Sequence, residues 1–204
     1  MWFVGDIHGR WGDFKDKLNH ADIDPFEQII ILGDVGLGFP GPHEDPEDFE
    51  YYFDHKVNFI RGNHDNPQVC KAHKSNLGDY GIIDVTIGFV AGGFSIDKDY
   101  RTPGMDWWYD EQLSEAELSK AIDLFQDQKP TVMLSHEAPR SIVPMVVGNC
   151  LFPSNTNSAL DYIFRNVKSI KEWYFGHYHI SFDCVVDGVH FHGLNCNEFL
   201  RRKE

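Results

Sequence analysis

Three short apolar runs in the first third of the chain each end in glycine followed by a polar side chain. The runs, each with the polar residue that follows, are Trp2 to Val4 with Asp6, Gln28 to Leu32 with Asp34, and Val57 to Ile60 with Asn63. Such runs are typical of buried strands, and glycine lets the backbone turn sharply where it leaves a sheet. In an open α/β sheet, ligands bind beyond the carboxyl ends of the strands. We therefore expect Asp6, Asp34 and Asn63 to converge.

Two later strand-like runs end in histidine. Thr131 to Leu134 is followed by Ser135-His136, and Trp173 to Phe175 is followed by Gly176-His177-Tyr178-His179. The first run also leads to a histidine, His8. Asp6 and His8 are two residues apart, so their side chains point to the same side of an extended segment. Strand ends that deliver carboxylate, amide and imidazole groups in this way indicate a metal site.

The segments between these strand ends predict alternating helices, hairpins and loops. Helices are expected over Gly12 to His20, Asp48 to His55, Pro67 to Lys74, from the Ser114 capping box onward, and around Leu160 to Val167. Hairpins are expected over 82–91, turning at Ile87-Gly88, and over 182–194, turning at Asp187-Gly188. Loops are expected over 36–46, 92–110 and 141–157, with a solvated polar tail over 201–204. The first strand, helix and second strand form a βαβ unit, which predicts parallel pairing.

Length and charge restrict the class of protein. A chain of 204 residues with 42% hydrophobic residues is expected to form a single domain over 1–204 with a full core. Its net charge of −14 makes nucleic acid an unfavourable partner. No apolar run has the length of a membrane span, and a strand that begins near Met1 leaves no room for a signal peptide. We therefore expect an intracellular protein that does not bind membranes.

The cysteines agree with a cytoplasmic protein. Cys70, Cys150, Cys184 and Cys196 show neither a Cys-x-x-Cys pair nor the spacing of a disulfide scaffold. Free, mostly buried thiols in a reducing compartment are therefore expected.

Taken in order, the polar strand ends resemble the motifs of the calcineurin-like metallophosphoesterase superfamily. The motifs are Asp6-x-His8, Gly33-Asp34, Gly62-Asn63-His64-Asp65, His136 and Gly176-His177-x-His179. The resemblance covers residues 5 to 179. It implies a four-layer α/β/β/α sandwich of two mixed β-sheets flanked by helices, with a dimetal site at the C-terminal tips of the strands.

The resemblance also implies a ligand set. Asp34 corresponds to a carboxylate that bridges two metal ions, the first held by Asp6, His8 and His179 and the second by Asn63, His136 and His177. A bridging carboxylate with such donors can hold two ions about 3.5–4 Å apart, with a hydroxide between them for in-line attack on phosphorus. Oxygen and imidazole donors without thiolate suit Mn, Fe, Zn, Co or Ni, with Mn as the default.

Further residues are predicted to act on the substrate. His64 is expected to serve as general acid or as an electrostatic stabiliser, with Asp65 either orienting it or acting as a turn or helix-cap acid. Arg10 and Arg140 closely follow ligand motifs, so each is a candidate for phosphate binding, the alternative being a surface or structural arginine.

The segment 93–110 is predicted to recognise the substrate. Arg101 and Lys98 would bind anionic oxygens, and the rings of Trp107, Trp108 and Tyr109 would stack on a flat group. The alternative is a self-packed Ω-loop. On the closing strand, His190 and His192 share one face, either as outer groups of the metal site or as an ordinary half-buried strand face.

The motifs favour one branch of the family. The segments 5–9 and 60–64 resemble Ser/Thr protein phosphatases and symmetrical diadenosine tetraphosphatases, but that branch has Gly-Asp-x-x-Asp-Arg-Gly where this chain ends in Leu37-Gly38-Phe39. A phosphodiesterase or small-molecule phosphomonoesterase is therefore predicted, with a small phosphoester as partner. The alternatives are a protein phosphatase or diadenosine-tetraphosphatase-like hydrolase, a DNA nuclease and a non-catalytic metal-binding scaffold.

Overall fold

A computed structural model describes residues 1–21, 23–24, 26–40, 56–148 and 153–202. The α-helices within these ranges are α1 (Trp11–His20), α2 (Pro67–Ala72), α3 (Glu115–Gln128), α4 (Val143–Val147) and α5 (Asn155–Asn166). The strands are β1 (Trp2–Val4), β2 (Ile29–Ile31), β3 (Val57–Phe59), β4 (Tyr80–Ile83), β5 (Ile87–Val90), β6 (Val132–Ser135), β7 (Glu172–Phe175), β8 (Phe182–Val186), β9 (Val189–Gly193) and β10 (Phe199–Arg201). The predicted helix over Asp48 to His55 lies outside the described residues.

The strands form two mixed sheets. The smaller sheet has the order β10-β1-β2-β3, and the larger has the order β4-β5-β6-β7-β9-β8. β1, β2 and β3 run parallel, as the βαβ pattern predicts, and β10 is antiparallel to β1. In the larger sheet β5, β6, β7 and β9 run parallel, whereas β4 and β8 are antiparallel edge strands.

Three hydrophobic cores separate four layers. Ile29 and Ile31 of β2 pack with α1 on the outer face of the smaller sheet, while Ile30 faces the larger sheet. Trp173 and Phe175 of β7 likewise pack on the helical side of the larger sheet, and Tyr174 lies between the sheets. Side chains of a strand alternate between its faces, so strands covered on both sides are apolar throughout. The predicted α/β/β/α sandwich is therefore confirmed.

The first hairpin of the larger sheet turns earlier than predicted. Ile87 and Gly88 belong to β5 and pair with β4, and the turn lies at Asp84 and Val85, which have φ values of 49° and 65°. The Ile-Gly dipeptide resembles a turn, but two non-glycine residues adopt the left-handed conformation here instead.

Two segments predicted to lack regular structure contain elements. The segment 141–157 includes α4 and the start of α5, where Ser154 caps the helix by accepting the Asn157 N–H at 2.9 Å. Arg201 belongs to β10, and its guanidinium lies 2.9 Å from Glu27. Short elements with Pro, Asn and Arg carry too little periodicity to be recognised. None of the helices in the described ranges has the length and apolar character that crossing a membrane requires.

Candidate metal centre

The residues that follow β1, β2 and β7 converge in a first group of donors. His179 Nε2 lies 3.1 Å from Asp6 Oδ2, and His8 Nε2 lies 2.8 Å from His179 Nε2. His8 Nε2 is also 3.8 Å from Asp34 Oδ2. One ligand atom from each of these four residues lies within 4.8 Å of the others. A single ion at their centre is within reach of all four.

A second group of donors lies on the other side of Asp34. Asn63 Oδ1 is 3.0 Å from His136 Nε2 and 3.0 Å from His177 Nδ1. His136 Nε2 is 3.2 Å from Asp34 Oδ1. The two carboxylate oxygens of Asp34 thus face different groups, Oδ2 toward His8 and Oδ1 toward His136.

The chemistry of these donors fits divalent metal ions. The Asp6 and Asp34 side chains are almost completely buried, at 0% and 1% exposure, and a buried carboxylate requires a compensating positive charge. In the described part of the chain, neither carboxylate forms an ion pair with a lysine or arginine. Carboxylate, amide and imidazole donors around two adjoining positions suit ions such as Mn²⁺, Fe²⁺ or Zn²⁺.

Glycines bring the strand ends close enough for these contacts. A Cβ atom at Gly62 would lie 2.1 Å from Asp34 Oδ1, and one at Gly176 would lie 2.2 Å from Asp6 Oδ1. Any larger residue at these positions would displace a carboxylate. Gly62 and Gly176 are therefore required by close packing between neighbouring strand tips as well as by chain turning.

Hydrogen bonds outside the donor groups orient two of the donors. Asn63 Nδ2 donates to Ser95 Oγ at 3.1 Å, and Ser95 Oγ donates to Glu111 at 2.6 Å. This chain turns the Asn63 carbonyl oxygen toward the histidines. His136 Nδ1 lies 2.7 Å from the Leu32 carbonyl oxygen, which leaves Nε2 directed at Asp34. Such outer contacts fix ligand orientation and tautomer in metal sites.

His64 lies beside the two donor groups and contacts an arginine. Its Nδ1 is 3.4 Å from Asp34 Oδ2, and the Arg101 guanidinium hydrogen-bonds to its Nε2. Arg101 is held in turn by Asp97, at 2.7 Å. Burial and, to a smaller extent, the Arg101 charge lower the pKa of His64 to about 4, although Asp34 opposes this. The imidazole is therefore neutral near pH 7.

Comparison with known proteins agrees with this geometry. A family model described as calcineurin-like phosphoesterase matches residues 1–181. The chain belongs to the calcineurin-like phosphoesterase family. Membership indicates hydrolysis of phosphoesters that depends on divalent metal ions.

Solved structures also match this phosphoesterase. The protein TT1561 of Thermus thermophilus has a TM-score of 0.55 at 10% identity, over 96% of this chain and 89% of that one, so the two proteins share a fold. The phosphopantetheinyl hydrolase PptH from Mycobacterium tuberculosis matches with a TM-score of 0.46 at 15% identity, over 95% of this chain and 89% of that one. No curated protein sequence matches the chain.

Asp65 of the phosphoesterase does not orient His64, contrary to one of the predicted roles. Its buried carboxylate accepts backbone N–H groups from Val35, Gly36, Leu37 and Gly62, at 3.3, 2.7, 3.2 and 2.7 Å. Burial raises the pKa of Asp65 to about 6. Through these hydrogen bonds the Asp65 side chain fixes the loop after β2 against the loop after β3. It does not share the direction of His64, since adjacent residues in a tight turn point in different directions. Asp65 thus supports the loop that carries Asp34.

A cavity of about 540 Å³ opens beside the donor groups of the phosphoesterase. Arg101 and His64 line it on one side, and its apolar wall comprises Phe94, Ile96, Val143, Val147 and Tyr178. The predicted phosphate-binding residues Arg10 and Arg140 are exposed and do not line this cavity. Of the three arginines singled out from the sequence, Arg101 alone lines the cavity, whereas Arg10 contacts Cys196, which lies beside His8 and His179.

The rings of Trp107, Trp108 and Tyr109, which were predicted to stack on the substrate, do not line the cavity. Trp108 is buried and lies 5.9 Å from the Phe39 ring, while Trp107 packs on Tyr109 at 4.6 Å. Lys98 lies over the Phe94 ring at 5.2 Å. The rings therefore pack within and beside their own segment, which corrects the predicted stacking role.

Sequence reasoning missed three acidic or sulfur-containing residues near the site. Glu137 lines the cavity, accepts a hydrogen bond from Ser154 at 2.6 Å, and has its pKa raised by burial to about 7. Cys196 is a free, half-buried thiol near His8 and His179. Glu111 acts through Ser95. The run Phe89 to Ala91 followed by Gly92-Gly93 repeats the strand-then-glycine pattern and would have pointed to Ser95.

The other described cysteines are free thiols as well. Cys70 is buried, but Cys184 is half-buried like Cys196, so the described thiols are not mostly buried as predicted; Cys150 lies outside the described residues. His190 and His192 contact Asp183 rather than the donor groups described above.

Proposed function

We propose that this phosphoesterase holds two divalent metal ions and hydrolyses small phosphodiesters or phosphomonoesters. The supporting observation is Asp34, whose two oxygens face the two donor groups separately. Asp34 would bridge the ions, with Asp6, His8 and His179 on one and Asn63, His136 and His177 on the other. When bound, the ions would activate water and offset charge on the phosphoryl oxygens.

Arg101 and His64 would contact the substrate from the part of the cavity wall that they form. The guanidinium lines the cavity and is held by Asp97, so it is placed to bind a phosphoryl oxygen. His64, as a neutral imidazole next to Asp34, would donate a hydrogen bond that stabilises the charge of the leaving group. To act as general acid it would first have to take up a proton. The apolar wall formed by Phe94, Ile96 and Val143 suits an organic substituent on the ester.

A small substrate is favoured over a phosphoprotein by the loop after β2. At the position where protein phosphatases carry the Arg of their second motif, this chain has Gly38, and the Phe39 ring lies 4.9 Å from His64. Arg101, from a different loop, lies over that ring at 5.7 Å and reaches His64. The cationic group beside the His64 imidazole is therefore supplied by Arg101 and not by the Arg of the second protein-phosphatase motif.

Metal analysis of the native protein followed by a substrate panel tests the proposal. We expect about two equivalents of metal per chain and hydrolysis, with added Mn²⁺, of at least one small phosphomonoester or phosphodiester. Single-stranded DNA and a phosphopeptide serve as comparison substrates for the nuclease and protein-phosphatase alternatives. A protein that neither retains metal nor hydrolyses any substrate with any added ion would instead be a scaffold.

Replacing Ser95 by alanine should weaken metal binding by roughly 10- to 100-fold. The substitution frees the Asn63 amide to rotate, because it removes the hydroxyl that links Asn63 to Glu111. Metal titration of the stripped protein measures the effect. Ser119→Ala, on α3, is the matched control and should leave affinity unchanged; equal affinities in both variants would contradict the orienting role.

Replacing Arg101 by alanine should lower kcat/KM by roughly 10- to 100-fold, because the guanidinium is placed to bind a phosphoryl oxygen of the substrate. The comparison uses a small chromogenic ester and the best substrate from the panel. Arg140→Ala is the control, because Arg140 is exposed and outside the cavity. Rates equal to those of wild type on both esters, or a loss that accompanies a lowered melting temperature, would assign Arg101 a packing role.

A further inference from the structure

A second cluster of potential ligands lies at the far edge of the larger sheet. His190 and His192 are two residues apart on β9, so their side chains share one face of the strand. Asp183 lies on the neighbouring antiparallel strand β8 and pairs directly with His192. Three side chains from two adjacent strands thus meet on one face of the sheet.

The distances within this cluster match those between ligands of one ion. Asp183 Oδ1 lies 2.9 Å from His190 Nε2, and Asp183 Oδ2 lies 3.0 Å from His192 Nδ1. One ligand atom from each residue lies within 4.8 Å of the other two. Metal bonds of about 2.0–2.2 Å place neighbouring ligand atoms roughly 3 to 3.5 Å apart. Small rotamer adjustments would therefore bring all three onto one ion.

Packing holds the cluster in place. The His192 ring stacks on Tyr174 at 4.7 Å with an interplanar angle of 17°. Tyr174 is buried, and its hydroxyl donates to Glu172 at 2.6 Å. Because one imidazole is fixed by a buried ring, an ion would meet a ligand that is already oriented.

Ion pairing within the cluster of Asp183, His190 and His192 contributes little to the stability of the protein. The Asp183 side chain is 69% exposed, and exposed ion pairs contribute little to stability. A cleft of about 740 Å³ adjoins the three residues and leaves room for water on the open side of an ion. The chain carries a net charge of −14, which favours the approach of cations.

We propose that Asp183, His190 and His192 form an additional site for a divalent transition-metal ion, with Zn²⁺ as the probe. Two imidazoles and one carboxylate prefer Zn²⁺, Ni²⁺ or Fe²⁺ over Mg²⁺ or Ca²⁺, which prefer oxygen. The ion would link the edge strand β8 to β9 and leave coordination positions open to the cleft. The proposal is independent of the donors at the strand tips.

Zinc stoichiometry in matched variants tests the site. Chelator-stripped protein is dialysed against buffered micromolar Zn²⁺, and bound zinc is measured for wild type, Asp183→Ala and His190→Gln. We expect each variant to bind one equivalent less than wild type. The controls Asp123→Ala and His20→Ala change exposed residues of the same types and should match wild type.

The design separates this site from the proposed active site. Zinc bound at the strand tips is common to all five proteins, so the difference between them reports the β8–β9 cluster alone. Near-UV circular dichroism confirms folding of each variant, and phosphoesterase activity should be unchanged in Asp183→Ala and His190→Gln. Equal zinc content in wild type and both folded variants would overturn the proposal, whatever the activity.

Discussion

Replacing Asp34 by asparagine should lower phosphoester hydrolysis by at least about 100-fold and reduce the metal content of the purified protein. The amide keeps the size of the side chain, and its oxygen can still accept the backbone N–H of His64, whose nitrogen lies 2.8 Å from Asp34 Oδ1. What is lost is the negative charge between the two donor groups. Both sites should weaken together, because each depends on one oxygen of the same carboxylate. Metal analysis and kcat/KM measured at saturating Mn²⁺ provide the two readouts.

Asp13→Asn is the matched control for this experiment. Asp13 is exposed in the first turn of α1, so the same chemical change there should alter neither activity nor metal content. An Asp34→Asn protein with full activity would exclude the bridging assignment. Full metal content with lost activity would place Asp34 in the chemistry and not in metal binding.

Replacing His64 by alanine should lower turnover by about 10²- to 10⁴-fold, as expected when a group that protonates or hydrogen-bonds the leaving group is removed, while metal content stays the same. The side chain lies outside the two donor groups, although its Nδ1 is 3.2 Å from His8 Nδ1. If His64 protonates the leaving group, the defect should shrink for nitrophenyl esters, whose leaving group needs little protonation. An equal defect for good and poor leaving groups would indicate an electrostatic role shared with Arg101.

His20→Ala is the control for this substitution, because His20 is exposed on α1. Its kinetics and metal content should equal those of wild type. A His64→Ala protein with wild-type turnover on every ester would remove His64 from the mechanism. A loss of metal in that variant would show that His64 supports the donors through His8.

The strand-end pattern predicted much of the fold and which polar side chains would lie close together. A strand buried on both faces needs apolar residues throughout, and close contact between strand tips needs glycine, as at Gly62 and Gly176. Both requirements can be recognised in the local sequence. The structure places all seven predicted donors within two adjoining groups. Their role as metal ligands stays a prediction, and Asp34→Asn tests it.

Long-range contacts could not be predicted in the same way. The sequence indicated Arg101 as an anion-binding residue, but nothing in its loop predicts the contact with His64. β10 is likewise a short strand recognisable only by its pairing with β1. One predicted role of Asp65, orienting His64, rested on the adjacency of the two residues, but adjacency in a turn does not determine the direction in which a side chain points. Four backbone N–H groups, which the sequence does not reveal as needing acceptors, determine where that carboxylate points.

The position of β10 has a consequence for how the protein is made. β1 lies between β2 and β10, and the Asp6 carbonyl accepts a hydrogen bond from the Asn197 N–H at 2.9 Å. On the ribosome, the strand that leads to Asp6 emerges long before its partner strand Phe199–Arg201. Until then β1 presents an unpaired edge, which is the kind of surface that invites aggregation and chaperone binding. During synthesis of each copy, the strand that leads to Asp6 therefore remains unpaired on one side.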